Sequence, residues 1–575
     1  MFLNNYTKLF SVLEKNQKIR IGYFGFFLIV IMFLETFSFG MFYPFLQSIT
    51  NNSLNEEFSV FLQFFNNMFN INLSIGLTAL LIFTFAIVIK NLFLYFFDFW
   101  TLTLLRDLRL DFKSKILKNH FHDDYEKISN IKTSVYIRDF NGTVDTFIRS
   151  LQSTMLLIIE FGVFLGLVGL LIFIQSKETI FFVIGLGFLA ILFTMAVKKV
   201  LKNYGAENLH LQERSMNKLL DILNSTKEII MSKKSPIFTK QFIKFQFKDL
   251  TIKRSVNMIQ RFPKIFFEII VVVSFAVYIF VLSFDGQDIN KMIPEIGLFF
   301  LATIRILPAV SKIILHANKL KHAEIASLKI ADDIQNYNKL FISKKPLTEI
   351  SFENNLTLNK VSFHYKNRDK TILDEVDFVI NKNDFIGITG ESGGGKSTLI
   401  DIISGLLNPE SGEIIIDGQK IKNLQHTNWL NKIGYLTQKN NLLDESILTN
   451  VTLEFNKDNI DIKLVNEAIN KTGLNELISS LPEGIDTHIG ENGFAISGGE
   501  RQRIGIARLL YAKKEILIFD ESTSNLDNKN KENIIYTINQ LAKEKTIIVI
   551  THDENVINNC KKKYLIKQKK LIKIE

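Results

Sequence analysis

The sequence predicts a polytopic α-helical membrane domain of six transmembrane helices fused to an α/β P-loop domain. Three observations carry that expectation. Apolar residues make up 47% of the 575 residues, 52 of them phenylalanine, yet 22% are charged, so the average covers two unlike halves. Six apolar stretches crowd the first 320 residues, and a glycine-rich loop follows a short apolar run in the second half. Such a chain can bury ample apolar surface, which excludes global disorder. A single cysteine, Cys560, excludes an intramolecular disulfide framework and a Cys-rich metal site.

The membrane domain is expected over residues 1–330. Its apolar stretches, 21–49, 74–100, 151–175, 179–197, 262–284 and 294–315, each approach or exceed the ~20 residues that cross a bilayer. The first is not read as a cleavable signal, because it is long and contains Glu35. Orientation follows from the connections. Residues 51–73 contain no Lys or Arg, whereas Arg106, Arg109, Lys113, Lys115, Lys118 and Lys127 crowd the second connection. Lys198, Lys199, Lys202, Lys227, Lys233 and Lys234 crowd the fourth. The positive connections and both termini are therefore expected in the cytoplasm, and the net charge of +10 is assigned to these loops rather than to nucleic-acid binding.

Both cytoplasmic connections carry apolar residues at helical spacing: Leu105, Leu108, Phe112, Ile116 and Leu117, then Leu219, Leu220, Leu223, Ile229 and Ile230. The membrane helices are expected to continue past the bilayer and turn at tips near 123–135 and 227–240, with ordinary soluble loop helices as the alternative. In the outer connection, Leu54, Phe58, Phe61, Leu62, Phe65, Met68 and Phe69 share one helical face. An amphipathic helix there would lie in the outer interface or pack on the spans.

Charges inside spans cost roughly 2.5–3.5 kcal/mol or more each, so they call for a reason. The cations are Lys90, Lys264 and Arg305, the last about 16 Å into its helix at ~1.5 Å per residue. Facing one cavity, they would form a cationic zone for a phosphate-bearing head group. Alternatively the lysines snorkel, Lys264 pairs with Glu268, and the acids Glu35, Asp98, Glu160 and Glu268 neutralise the cations.

Residues 331–350 read as a polar linker, and from Ser351 to residue 575 short apolar runs alternate with helical patterns, as in an α/β domain. The run 385–389 leads into Gly390-Glu-Ser392-Gly393-Gly394-Gly395-Lys396-Ser397-Thr398, then a helical segment. This strand–loop–helix fits the phosphate-binding pattern in full. Glycines let backbone N–H groups converge on phosphate oxygens at a helix N-terminus, Lys396 reaches the β/γ-phosphates, and the Ser397 hydroxyl can bind Mg²⁺. A second apolar run, 516–519, reads as a buried parallel strand ending in Asp520-Glu521. Asp520 is expected to hold Mg²⁺, and Glu521 to act as general base on the attacking water.

With Ile496-Ser497-Gly498-Gly499-Glu500 upstream, the domain resembles the nucleotide-binding domain of ATP-binding-cassette transporters, and the resemblance extends over the whole chain. It implies ATP and Mg²⁺ as cofactors and further site residues. Tyr365 matches the aromatic that stacks on adenine, and Gln438 the glutamine that senses Mg²⁺ and water. Ser497, Gly498 and Gly499 match the signature, and Asp527 ends the loop linking two ATP sites. His552 matches the switch histidine at the γ-phosphate. Residues 487–491 resemble the cross-linking loop of exporters. Ile496, Glu500 and Asn525 depart from the commonest residues without removing a catalytic group.

In that family each ATP lies between the phosphate loop of one domain and the signature of another, so one copy of each implies a dimer, here a homodimer. Six spans before one nucleotide domain resemble the exporter branch, in the bacterial cytoplasmic membrane. No peptidase domain precedes the first span, which turns the expectation away from bacteriocin-processing exporters. The segments Phe33-Leu-Glu35-Thr36-Phe37, Arg261-Phe-Pro263-Lys264-Ile265 and Ile304-Arg305-Ile-Leu307-Pro308 resemble the bacterial flippase for lipid-linked oligosaccharides of protein N-glycosylation. Its cavity-lining basic residues carry over onto Lys90, Lys264 and Arg305, with lysine replacing arginine at two positions. The expectation is ATP-driven flipping of a polyprenyl-diphosphate-linked glycan. A peptide or hydrophobic-drug exporter is the alternative, and an ATP-gated channel a third.

Overall fold

A computed structural model describes residues 13–42, 44–45, 56–69, 74–122, 124–173, 177–284, 289–342, 348–366, 370–490, 496–521 and 528–574. The chain divides into two compact units, residues 1–122 with 131–342, and residues 123–130 with 343–575.

The helices, in chain order, begin with α1 (Lys15–Gly40), α2 (Glu56–Phe69), α3 (Ile75–His122), α4 (Tyr125–Asn130), α5 (Thr133–Arg138), α6 (Val144–Phe173) and α7 (Lys177–Asn224). They continue with α8 (Thr226–Met231), α9 (Ser235–Phe284) and α10 (Ile289–Ile342). All but α4 belong to the first unit. Among the described residues, Lys15–Gly40, Ile75–His122 and Thr133–Leu170 are long and apolar enough to cross a membrane. The other expected spans lie within α7, α9 and α10. The outer part of span 21–49 beyond residue 45 is outside the described residues.

Helices α3, α7, α9 and α10 run far beyond the apolar stretches, because apolar residues keep helical spacing past the last membrane residue. Leu104, Leu105, Leu108 and Phe112 of α3 are buried with Phe147, Ile148, Ile314 and Ile330, while Leu117 is exposed. Between α3 and α5 the described residues 124–132 contain the short helix α4, and between α7 and α9 residues 225–234 contain the short helix α8. Residues 139–143 form one π-helical turn feeding α6. There Asp139 pairs with Arg138 at 2.8 Å and with Lys329, and Arg138 pairs with Glu213 at 2.6 Å, joining α5, α7 and α10. Helix α2 packs on the spans through Leu62, buried with Met41, Ala79 and Ile82, but leaves Phe61, Phe64 and Met68 exposed.

One boundary moves. Helix α10 continues to Ile342, so residues 331–342 of the expected linker are helical. Ile330, Ala331 and Ile334 are buried and Asp332 is exposed. The segment reads as polar because its outward face is polar, but its inward face still packs.

The second unit holds two sheets. An antiparallel one runs β2 (Thr371–Asn381), β1 (Asn355–His364), β4 (Ser411–Ile416), β5 (Gln419–Ile421). The other has the order β10 (Lys570–Lys573), β9 (Lys562–Lys567), β3 (Phe385–Gly390), β8 (Thr546–Ile550), β7 (Ile516–Asp520), β6 (Ile433–Leu436). Strands β9, β3, β8, β7 and β6 are parallel, and β10 is antiparallel to β9. All five residues of β8 and the first four of β7 are buried, as continuous apolar runs require in a sheet covered on both faces. Helices α11 (Lys396–Ser404), α12 (Ile447–Thr452), α13 (Ile462–Thr472), α14 (Asn475–Ser480), α15 (Gly498–Tyr511), α16 (Asn528–Leu541) and α17 (Glu554–Asn559) complete it. A separate core of Ile447, Val451, Val465, Ile469, Leu474 and Ile504 supports the start of α15.

Candidate functional site

The carboxyl ends of four neighbouring parallel strands, β6, β7, β8 and β3, deliver Gln438, Asp520-Glu521, His552 and the glycine loop to one edge. Ligands of open α/β sheets bind at that edge. The loop needs glycine where it enters α11. Gly395 has φ 104°, and a Cβ there would stand 3.1 Å from Leu373 Cδ2 and 3.2 Å from Ile372 Cγ2. Ser392 and Ser397 are exposed, Thr398 is buried, and Lys396 is 8% exposed. The Lys396 Nζ donates to Gly390 O at 2.5 Å and Glu391 O at 3.1 Å, and lies 3.2 Å from His552 Nε2. A buried ammonium held by carbonyls beside a helix N-terminus is a site for anionic oxygens.

Beside it, Gln438 Nε2 donates to Glu521 Oε2 at 2.6 Å, and Glu521 Oε1 lies 3.7 Å from His552 Nε2. Gln438, Glu521, His552 and Lys396 thus form one continuous chain of polar contacts. Glu521 has φ 48°, the left-handed region, which costs a non-glycine residue on the order of 1–3 kcal/mol. Its N–H donates to Ile550 O at 2.8 Å, so β8 holds the turn in place.

Asp520 accepts from the Tyr435 hydroxyl at 2.9 Å. Burial raises the Asp520 carboxyl above the usual carboxylate range, opposed by the Tyr435 donation and reinforced by the charge of Glu521. Burial also pushes the neighbouring Asp401 up to about 7, with Asp520 adding to it. A divalent cation relieves such crowding of carboxylates, and the exposed Ser397 hydroxyl, the Asp520 carboxylate and Gln438 are the hard oxygen donors that Mg²⁺ takes. The donor set fits the metal.

Tyr365, one residue past β1, places its hydroxyl 3.2 Å from Thr398 Oγ1. Helix α4, a tip of the first cytoplasmic arm, folds with this unit. Glu126 accepts from the Lys366 N–H at 2.8 Å, and its other oxygen lies 3.7 Å from Lys366 Nζ. Burial raises the Tyr125 hydroxyl's pKa, and the nearby Asp401 carboxylate adds to it. The roles of Tyr435, Asp401 and α4 were not evident from sequence. A tyrosine on a buried strand needs a hydrogen-bond partner, which was the one available signal.

Ser497 caps α15. Its Oγ accepts from the Glu500 N–H at 3.4 Å, and Glu500 Oε2 accepts from the Ser497 N–H at 2.7 Å. This capping box explains why glutamate is tolerated after Ser-Gly-Gly. Gly499 is buried, and a Cβ there would meet Asn530 at 2.7 Å. Asp527 and Glu491 lie outside the described residues. In the membrane unit, Lys90 pairs with the fully buried Glu35 at 3.3 Å. Lys264 is exposed on α9, and the side chain of Arg305 is outside the described residues. The three cations are not seen converging; the pairing favours the neutralising role for Lys90.

Residues 373–524 match the family described as ABC transporter. The alpha-hemolysin translocation ATP-binding protein HlyB of Escherichia coli O6:H1 is 35% identical over 249 residues, covering 43% of this chain and 34% of that protein. The toxin RTX-I translocation ATP-binding protein of Actinobacillus pleuropneumoniae is 36% identical over 236 residues, 41% of this chain and 33% of that protein. The chain thus spans about a third of the length of the curated relatives it matches. A solved structure of a bacterial Atm1-family ABC exporter with ATP bound superposes with a TM-score of 0.74 at 17% identity, covering 96% of this chain and 94% of that one. This chain therefore has the fold of an ATP-binding-cassette exporter half, and its second unit carries an ATP-binding-cassette domain whose ligands are ATP and Mg²⁺.

Proposed function

We propose that the protein is a homodimeric, ATP-hydrolysing exporter of the bacterial cytoplasmic membrane, with its nucleotide-binding unit and termini in the cytoplasm. The continuous contact chain from Gln438 through Glu521 and His552 to Lys396 is the observation that carries the reading. Backbone N–H groups of the loop ending at Thr398 hold the phosphates, with Gly390, Gly393, Gly394 and Gly395 allowing the close approach. Lys396 turns from the carbonyls of Gly390 and Glu391 to the β/γ-phosphate oxygens. Ser397, Asp520 and Gln438 would hold Mg²⁺, which would supply charge neutralisation for the phosphates. Glu521 takes a proton from the attacking water at its carboxylate, and His552 meets the γ-phosphate. Tyr365 stacks on the base, and Ser497, Gly498 and Gly499, with Asp527, serve the site of a second copy.

For cargo, the reading is a polyprenyl-diphosphate-linked glycan or related glycolipid, supported by the sequence resemblance around Glu35, Lys264 and Arg305. A peptide or protein cargo is the second reading, favoured by the toxin translocation proteins that match the nucleotide-binding half. Proteoliposomes carrying a labelled lipid-linked glycan in the outer leaflet, or given a labelled peptide from outside, separate the two. ATP-dependent protection of the glycan inside supports the first cargo, and uptake of peptide alone sinks it.

A further inference from the structure

The start of α15 carries a carboxylate at the place where a composite ATP site needs a donor. Ser497 is exposed and caps the helix, and Glu500 follows in its first turn. Glu500 Oε2 accepts twice, from the Ser497 N–H at 2.7 Å and from the Ser497 hydroxyl at 2.8 Å. The return bond, from the Glu500 N–H to Ser497 Oγ, is 3.4 Å long. Contacts near 2.8 Å are full hydrogen bonds, whereas 3.4 Å exceeds the ordinary N–H···O range. A cap by itself needs only the return bond. The Ser497 hydroxyl therefore serves first as a donor to the carboxylate, and bonds to an ionised acceptor are roughly twice as strong as neutral ones.

A hydroxyl has one proton to give. In the free domain Glu500 holds it; in a composite site the γ-phosphate of a second copy's ATP asks for the same proton. Both acceptors are anions, and both are drawn to the free N–H groups and positive dipole end of one helix N-terminus. Movement of the helix does not resolve the contest, because its backbone is fixed on two sides. A Cβ at the buried Gly499 would stand 2.7 Å from Asn530 Cγ. On the other side Asn440 Nδ2 donates to Arg501 O at 2.6 Å, and a Cβ at Gly505 would stand 2.4 Å from that same nitrogen. What is left to turn is the half-buried Glu500 side chain.

We propose that Glu500 is a brake on the composite ATP site: a positioning residue that keeps the Ser497 hydroxyl turned to itself until the γ-phosphate on a second copy displaces it. The inference rests on the homodimeric reading, in which Ser497 serves the site of that copy. It adds a property of that site. Closure is opposed by an anion built into the chain, so the site closes at a higher ATP concentration than it would with a neutral residue at position 500.

Glu500→Gln is the variant that tests this, because glutamine completes a capping box as glutamate does and removes only the charge. The full chain in nanodiscs is assayed for the KM and kcat of ATP hydrolysis with Mg²⁺. In a parallel Glu521→Gln background, labelled ATP retained through rapid gel filtration reports closure of the site. Glu500→Gln should lower both KM and the ATP concentration for half-maximal retention about tenfold, ~1.4 kcal/mol. Its kcat should stay within about threefold of wild type, and its unfolding temperature should not change. Glu500→Ala should lower KM as well, although it loses the cap and unfolds at a lower temperature. In a Ser497→Ala background, adding Glu500→Gln should move KM by less than about threefold, since no hydroxyl is left to release. An unchanged or raised KM in Glu500→Gln, or an undiminished gain in the Ser497→Ala background, overturns the brake. No retention of ATP by the Glu521→Gln chain, together with wild-type turnover in Ser497→Ala, would sink the composite site and the brake with it. Retention that ignores residue 500 sinks the brake alone.

Discussion

At the scale of single residues, the hydrolytic assignment depends on Glu521, held in a left-handed turn with its carboxylate hydrogen-bonded to Gln438. Glu521→Gln keeps the shape and removes the proton acceptor. ATP turnover should fall by roughly 10²-fold or more, the range of a lost general base, while ATP binding persists; turnover within threefold of wild type would remove Glu521 from that role. Tyr435→Phe tests the neighbour. Its hydroxyl donates to Asp520, so its loss should raise the Mg²⁺ concentration needed for half-maximal turnover about tenfold or more, by ~1.5–3 kcal/mol for one hydrogen bond to a charged group, with little change at saturating Mg²⁺. Lys396, Gln438, Glu521 and His552 were legible in sequence because each follows a recognisable apolar run at fixed order. Tyr435 and Asp401 were not, since only the pairing of β6 with β7 and the packing of α11 bring them to Asp520.

At the scale of elements, helix pairing explains what charge reading alone left open. Lys90 on α3 and Glu35 on α1 were both visible as intramembrane charges, but a sequence carries no record of which helix faces which. The contact makes Lys90 a partner of a fully buried carboxylate. Removing one member of a buried pair costs roughly 3–5 kcal/mol because the other charge stays behind. Lys90→Gln should therefore lower the thermal unfolding temperature, and adding Glu35→Gln should restore much of the loss. A lysine serving cargo alone would instead leave stability unchanged and reduce transport. The inward end of α10 offers a pH test. Burial pushes Asp333 up to about 6, above its unfolded value of 3.8. A raised carboxyl binds more protons folded than unfolded, so its stabilising contribution is present below about pH 4 and is lost as pH rises through about 6. Asp333→Asn should flatten that slope and stabilise the protein at pH 8 by on the order of 1–2 kcal/mol. Equal pH slopes in detergent-solubilised wild type and variant would refute the assignment. Linker residues 331–342 were misread for a related reason: their polar face dominates composition, while the buried Ile334 is seen only in three dimensions.

At the scale of the whole molecule, one chain supplies a phosphate loop and a signature, each once. If every ATP needs a loop from one copy and a signature from the other, defects in the two elements should complement. Lys396→Ala disables the loop, and Ser497→Arg places a bulky cation where α15 meets phosphate. Homodimers of either variant have two defective sites. A mixed dimer concentrates both defects in one site and leaves the other with Lys396 and Ser497 intact. Random pairing makes half of the dimers mixed, each with one good site of two, so co-expression should restore up to about a quarter of wild-type turnover. Sites completed within one chain would give no recovery, because each chain would keep its own lesion. Two differently tagged copies, purified in tandem, remove the statistical factor and isolate the mixed species. Recovery there near half of wild type implies that the sites fire independently. Recovery far below half, with mixed dimers demonstrably present, implies that both must close before either hydrolyses. The capping box bears on the choice of variant: Ser497→Arg also removes the hydroxyl that receives the Glu500 N–H, so the lesion must be checked by folding as well as turnover. An unfolding temperature within a few degrees of wild type makes the missing turnover a matter of the composite site rather than of α15 itself.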